Sequence, residues 1–122
     1  MPFNLSVKRH PEYVRCNVAG PASLKSFAEL LVTMGAEIER YEDDRVLLDL
    51  RKVQGRLSTS EQQLVGEMAA ARLPLLYKLA SIVPVGEITR NSERAATGKG
   101  LQVRVFDSES AALAWLLEPA PA

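Results

Sequence analysis

The chain has 122 residues, the length of a single domain, and its 15 basic residues balance 15 acidic ones. Zero net charge argues against nucleic-acid binding, because that affinity depends on neutralising phosphates. One cysteine excludes an internal disulfide, and no apolar run reaches membrane-spanning length. We therefore expect a cytoplasmic protein without integral membrane association, with one domain over residues 1–118 and a disordered tail over 119–122.

The first part of the chain predicts a β-hairpin. Apolar and polar residues alternate over residues 3–7 and again over 14–18, which is typical of strands buried on one face. Residues 10–12 are short enough for a tight connection between them. Gly20 and Pro21 then end the second strand.

A helix and two buried strands are predicted next. The helix is indicated by apolar residues spaced three or four apart on one face. That face consists of Leu24, Phe27, Leu31, Met34 and Ile38. The apolar runs at 46–50 and 79–83 are typical of central strands covered on both faces.

A second helix is predicted between these two runs. Its amino end can be capped by Ser58, Thr59 or Ser60. Its inward stripe is assigned to Leu64, Met68 and Ala71. Pro74 either limits the length of this helix or kinks it.

The last third of the chain predicts a short helix, a strand and a final helix. Ser92 opens the short helix, which ends at the glycines at 98 and 100. Residues 101–105 alternate as a strand, and Ser108 caps the final helix. The element order β-β-α-β-α-β-α-β-α predicts an α/β fold with a mixed, mostly parallel five-stranded sheet and four helices.

No catalytic or metal-binding constellation emerges from the sequence. His10 is the single histidine and Cys16 the single cysteine, so four zinc ligands of the usual kind cannot be assembled. The Gly98-Lys99-Gly100 segment lacks the glycine and hydroxyl residue that a phosphate-binding loop requires. Asp49 lies in a predicted buried strand, where we expect an ion pair. We predict no enzymatic activity, no cofactor and no metal.

Two polar clusters are candidate sites. Ser58 and Thr59 either serve as a helix cap or display a hydroxyl for phosphorylation and a partner switch. Arg90, Ser92 and Arg94 either hold an anion at the start of the third helix or form an unrelated solvated surface.

A third candidate site is an apolar cavity between the helices and the sheet. Its predicted lining is Phe27, Leu31, Met34 and Met68. Excess volume there would favour a carrier of a small ligand over a partner-binding domain.

The segment VLLDLRKVQGRLSTSE, residues 46–61, resembles the STAS domain of the SpoIIAA-like group. Ser58 and Thr59 lie where bacterial anti-sigma factor antagonists carry a phosphorylatable serine. The segments SERAA, residues 92–96, and VFDSESAALAWL, residues 105–116, are similar to sequences of small uncharacterised members. The family's switch motif reads Asp-Ser-Ser-Gly, whereas residues 57–60 of this chain read Leu-Ser-Thr-Ser.

The resemblance implies a mixed sheet with helices on one face, no enzymatic activity and recognition of a protein partner, in some members switched by phosphorylation. Our leading hypothesis is therefore a non-enzymatic regulatory or protein-interaction domain, with a homodimer as one form of partner. Related lipid-binding folds imply the alternative, a small carrier of an apolar or anionic ligand.

Overall fold

A computed structural model describes residues 2–120 and shows one five-stranded sheet in the order β1-β2-β3-β4-β5. The strands are Asn4–Arg9 (β1), Val14–Pro21 (β2), Arg45–Gln54 (β3), Lys78–Ile82 (β4) and Val103–Phe106 (β5). The β1–β2 pair is antiparallel, and the other three pairs are parallel. The predicted mixed, mostly parallel sheet is confirmed, with the two apolar runs in its centre.

Four helices connect or follow these strands within the described residues. They are Leu24–Tyr41 (α1), Thr59–Arg72 (α2), Asn91–Gly98 (α3) and Glu109–Leu116 (α4). Serine hydroxyls cap α1, α2 and α4, whereas α3 begins after Arg90, which makes no side-chain cap hydrogen bond. Ser92 therefore lies inside the first turn of α3 and does not open it.

The predicted tail is described only in part. Pro119 and Ala120 are exposed and have no regular secondary structure. Residues 121–122 lie outside the described residues, so a disordered tail over 119–122 stays a prediction.

Helices cover both faces of the sheet, which corrects the expectation of helices on one face. Met34 of α1, Ala69 of α2 and Ala96 of α3 share one core, and we call their side of the sheet the three-helix face. Leu116 of α4 belongs to a second core on the opposite side, the α4 face. The physical reason lies in β3 and β4, because strands that are apolar on both faces must be covered on both.

The inward stripe of α2 differs from the predicted one. Leu64 is 47% exposed and Ala71 is exposed as well, whereas Met68 packs against the core as predicted. The other residues of α2 at the core are Val65, Ala69 and Ala70. Apolar residues lie around the whole circumference of α2, so their spacing alone does not determine which side faces inward.

Gly66 allows α2 and α3 to pack unusually close together. A Cβ atom at this position would collide with the carbonyl oxygen of Ser92 in α3. Because that oxygen belongs to the backbone, the two helices would have to separate to accept any side chain. The glycine thus fixes the spacing of two helices that enclose the candidate site described next.

Candidate functional site

An apolar cavity of about 170 Å³ lies between the three-helix face and its helices. Leu31 from α1, Leu48 from β3 and Val65 from α2 contribute to its lining. Arg56 and Glu87, from the loops after β3 and β4, lie at its mouth. The cavity therefore opens at the carboxyl ends of parallel strands, where open α/β sheets place their ligand sites.

The predicted lining residues divide into two pairs. Phe27 and Leu31 line the cavity, whereas Met34 and Met68 are not part of its lining. Met34 is fully buried in the surrounding core, and Met68 packs against that core from the side of α2. The difference at Met68 follows from the orientation of α2, because Val65 takes the place facing the cavity.

Sequence reasoning missed part of the lining because β3 is longer than predicted. The strand continues to Gln54, four residues beyond the apolar run that ends at Leu50. Val53, within that extension, and Leu57, just after it, both line the cavity. Their apolar side chains after the charged pair Arg51 and Lys52 were the available signal.

Polar contacts hold the mouth of the cavity together. The Arg56 Nε atom donates to Glu87 Oε1 at 3.2 Å, which joins the loop after β3 to the loop after β4. Gln62 Oε1 accepts hydrogen bonds from Thr89 Oγ1 at 2.6 Å and from Asn91 Nδ2 at 2.9 Å. The polar groups at the mouth thus form hydrogen bonds and an ion pair with one another, and the interior of the cavity is mainly apolar.

Ser58 forms a capping box at the amino end of α2. Its hydroxyl accepts from the Glu61 N–H at 3.2 Å, and its own N–H donates to Glu61 Oε1 at 3.0 Å. These hydrogen bonds from Ser58, the backbone one foremost, lower the pKa of Glu61. Ser58 and Thr59 are both exposed. The capping role is observed, and phosphorylation stays a prediction.

The structure does not bring Arg90, Ser92 and Arg94 to one point. The Arg90 guanidinium donates to Glu93 Oε1 at 2.8 Å and to the carbonyl oxygen of Val105 at 3.0 Å. Ser92 lines the apolar cavity, whereas Arg94 lies on a surface groove between α2 and α3. The three side chains thus face different surroundings, and an anion site among them stays a prediction.

The α4 face carries a compact ionic cluster instead of a cavity mouth. Asp49 Oδ2 lies 2.8 Å from the Arg15 guanidinium and 2.7 Å from that of Arg51. Both guanidiniums also contact Glu109 Oε1, at 2.8 Å and 2.9 Å. The hydrogen bond from Arg51 lowers the pKa of Asp49. The ion pair expected for Asp49 is therefore present.

Two further features bear on chemistry. Burial raises the pKa of the Cys16 thiol to about 11, which keeps it in the unreactive thiol form. Within residues 2–120, no three His, Cys, Asp or Glu side chains are grouped so that they could hold a metal ion.

No helix of the described chain is long and apolar enough to cross a bilayer.

The fold is similar to that of two solved structures. An anti-sigma factor antagonist from Mycobacterium paratuberculosis matches with a TM-score of 0.65 and 14% identity, over 95% of each chain. An uncharacterized protein from the DUF3478 family with a SpoIIAA-like fold, from Shewanella loihica PV-4, matches with a TM-score of 0.57 and 16% identity, over 94% of each chain. No family model and no curated protein matches the sequence. The chain has a SpoIIAA-like fold, as the sequence resemblance predicted.

Proposed function

We propose that this chain is a non-enzymatic regulatory domain of the cytoplasm that binds a protein partner at the amino end of α2. The observation that carries the proposal is the exposure of Ser58 and Thr59 at this helix end. They lie in the segment that resembles the phosphorylated segment of anti-sigma factor antagonists. The shared fold with one such antagonist supports the same assignment.

Local geometry favours a modification that changes the surface without unfolding the domain. A phosphate on Ser58 or Thr59 adds about −1.5 to −2 charges, and a helix amino end stabilises negative charge through its free N–H groups. The helix begins in solvent, so the added group need not enter the core. A partner bound there would meet a new charge, and its affinity would change.

The test compares phosphomimetic variants at two similar helix caps. Ser58 caps α2 and contacts Ser60 at 3.3 Å, and Ser108 caps α4 on the other face and contacts Ser110 at 3.0 Å. Wild type, Ser58→Asp, Thr59→Asp and the control Ser108→Asp are each used to capture proteins from host extract by cross-linking and mass spectrometry.

We expect a partner that wild type and Ser108→Asp capture equally and that Ser58→Asp or Thr59→Asp loses by about tenfold, the effect of roughly 1.4 kcal/mol. Melting temperatures should stay unchanged, because aspartate caps helices as well as serine does and, at Thr59 in the first turn, complements the helix dipole. Identical capture by all four proteins would contradict the proposal. A homodimer stays a prediction, which sedimentation of the purified wild type tests.

A second candidate function, binding of a small apolar ligand, is favoured by the cavity. Its volume of about 170 Å³ is close to that of an engineered apolar cavity of about 150 Å³ that binds benzene. Titration of the protein with benzene should perturb the amide signals of Leu31, Leu48 and Val65 in NMR spectra. Unchanged signals at benzene saturation would exclude this function.

A further inference from the structure

Ser81 places a hydroxyl group in the lining of the apolar cavity. Side chains alternate along β4, so Leu79 and Ser81 line the cavity while Ala80 and Ile82 belong to the α4 core. Only 6% of Ser81 is exposed. The residue is thus buried on a strand that is paired on both sides, one residue before the carboxyl end of β4.

The Ser81 hydroxyl has no hydrogen-bond partner among residues 2–120. Every fully buried polar side-chain atom of these residues does have one, so the Ser81 oxygen must be open to the cavity. A serine hydroxyl can both donate and accept a hydrogen bond. Because no protein group uses that capacity at Ser81, it is available to a ligand atom inside the cavity.

The surroundings of Ser81 define what kind of ligand fits. Its register neighbours on β3 and β5 are Leu48 and Val105, and both line the cavity. The charged lining residues, Arg56 and Glu87, pair with each other at the mouth. An ionised group beside Ser81 would find no opposite charge, and burying it would be strongly unfavourable.

We propose that the cavity binds a small uncharged molecule with an apolar body and one hydroxyl or carbonyl group, and that this group hydrogen-bonds to Ser81 Oγ. The inference rests on the second candidate function, ligand binding in the cavity, and adds the chemical class of the ligand. The body has roughly the size of one aromatic ring, given the cavity volume.

The experiment compares two probes of nearly equal size, benzene and phenol, which differ in one hydroxyl group. NMR titrations give the affinity of each probe for wild type, Ser81→Ala and the control Ser6→Ala. Ser6 is an exposed strand serine of β1 that does not line the cavity. Melting temperatures establish that each variant is folded.

Ser81→Ala should weaken phenol binding about three- to tenfold, the usual net contribution of a neutral hydrogen bond. Benzene affinity should stay within about twofold, because benzene cannot form that hydrogen bond. Ser6→Ala should bind both probes like wild type. Equal phenol affinity for wild type and Ser81→Ala, or an equal phenol loss in Ser6→Ala, would overturn the role of Ser81 while leaving the cavity as a ligand site. Failure of both probes to bind wild type would overturn ligand binding itself.

Discussion

The two faces of the sheet are packed in different ways. Three helices cover one face with a large core, yet they leave a cavity of about 170 Å³. A single helix of eight residues covers the other face. There the core residues are 0% exposed, namely Leu47, Ala80, Ile82, Ala112 and Leu116.

Charged side chains hold α4 at both ends. The Lys78 ammonium donates to the carbonyl oxygen of Trp115 at 2.9 Å, and the Arg45 guanidinium donates to that of Leu116 at 2.7 Å. Cations at a helix carboxyl end satisfy free carbonyl groups and complement the helix dipole. Glu109, in the first turn, joins the ionic cluster on β2 and β3. Such a short helix is unstable alone, so these contacts fix it on the sheet.

The difference in packing suggests different roles for the two faces, stability for the α4 face and ligand binding for the three-helix face. On the α4 face, the core side chains are fully buried and the charged side chains of the cluster are paired. On the three-helix face, incomplete packing leaves free volume and an unpartnered hydroxyl at Ser81. Substitutions that are matched across the sheet can therefore test the contrast directly.

The largest difference is expected between Leu47→Ala and Leu48→Ala. These neighbours on β3 face opposite sides, Leu47 towards α4 and Leu48 towards the cavity. Leu47→Ala should lower the free energy of unfolding by about 3–5 kcal/mol, because it opens a void in a filled core. Leu48→Ala should cost about 2–3 kcal/mol, since its side chain already borders empty space. Urea denaturation measures both, and an equal loss would show that the faces are equally packed.

Substitutions that enlarge a buried side chain test the same contrast, because a filled core rejects extra atoms and a cavity accepts them. Ala112→Leu in α4 should destabilise by about 1–3 kcal/mol through overpacking. Ala69→Leu in α2 should change stability by less than about 1 kcal/mol, because the cavity can accept the larger side chain. Ala69→Leu should also abolish benzene binding. Equal destabilisation by the two substitutions would mean that the cavity cannot accept additional atoms.

The ionic cluster predicts a dependence of α4-face stability on pH. Asp49 and Glu109 have lowered pKa values in the folded state, through hydrogen bonds led by those from Arg51 and Arg15 respectively. Their contribution to stability is therefore present above the unfolded pKa values of about 4 and is lost as the pH falls through the folded ones.

Asp49→Asn removes one of these titrating groups. It should cost about 1–3 kcal/mol at neutral pH, because Arg15 is half-buried and loses a charged partner. In urea melts, the loss should shrink as the pH falls below about 4 and then through the lowered folded-state pKa of Asp49, where the wild-type carboxyl itself becomes protonated. A constant difference between the two proteins at every pH would argue against the cluster as its source.

The smallest effects are expected at the cap of α2. Ser58→Ala should cost about 1 kcal/mol through loss of the hydrogen bond to the Glu61 N–H, and Ser58→Asp should cost almost nothing. Thermal melts measure both variants. A loss for Ser58→Asp as large as for Ser58→Ala would indicate that charge at this helix end disturbs the fold, contrary to the proposed switch.

The sequence predicted the element order because each strand and helix has its own periodic pattern or cap. The alternation around Cys16 and the apolar run at 46–50 were sufficient for the strands. The side of α2 that faces the core was not predictable from the sequence, because apolar residues lie on several sides of this helix. Contacts with α1 and α3 determine which side faces inward. The position of α4 on the opposite face likewise depends on tertiary packing.

The candidate site was predictable only in outline. Phe27 and Leu31 were identified because their helix has one clear apolar face. Ser81 was hidden in the run LASIV, where a small polar residue looks like part of a buried strand. Its significance depends on what lies opposite, and a cavity is a property of packing that local sequence patterns do not contain.

A crystal structure under xenon pressure tests the contrast between the two faces most directly. Xenon enters apolar cavities without requiring a polar contact, so its position reports empty volume alone. We predict xenon density enclosed by Leu31, Leu48 and Val65, with none between α4 and the sheet. An empty cavity on the three-helix face, or xenon bound beneath α4, would contradict the account.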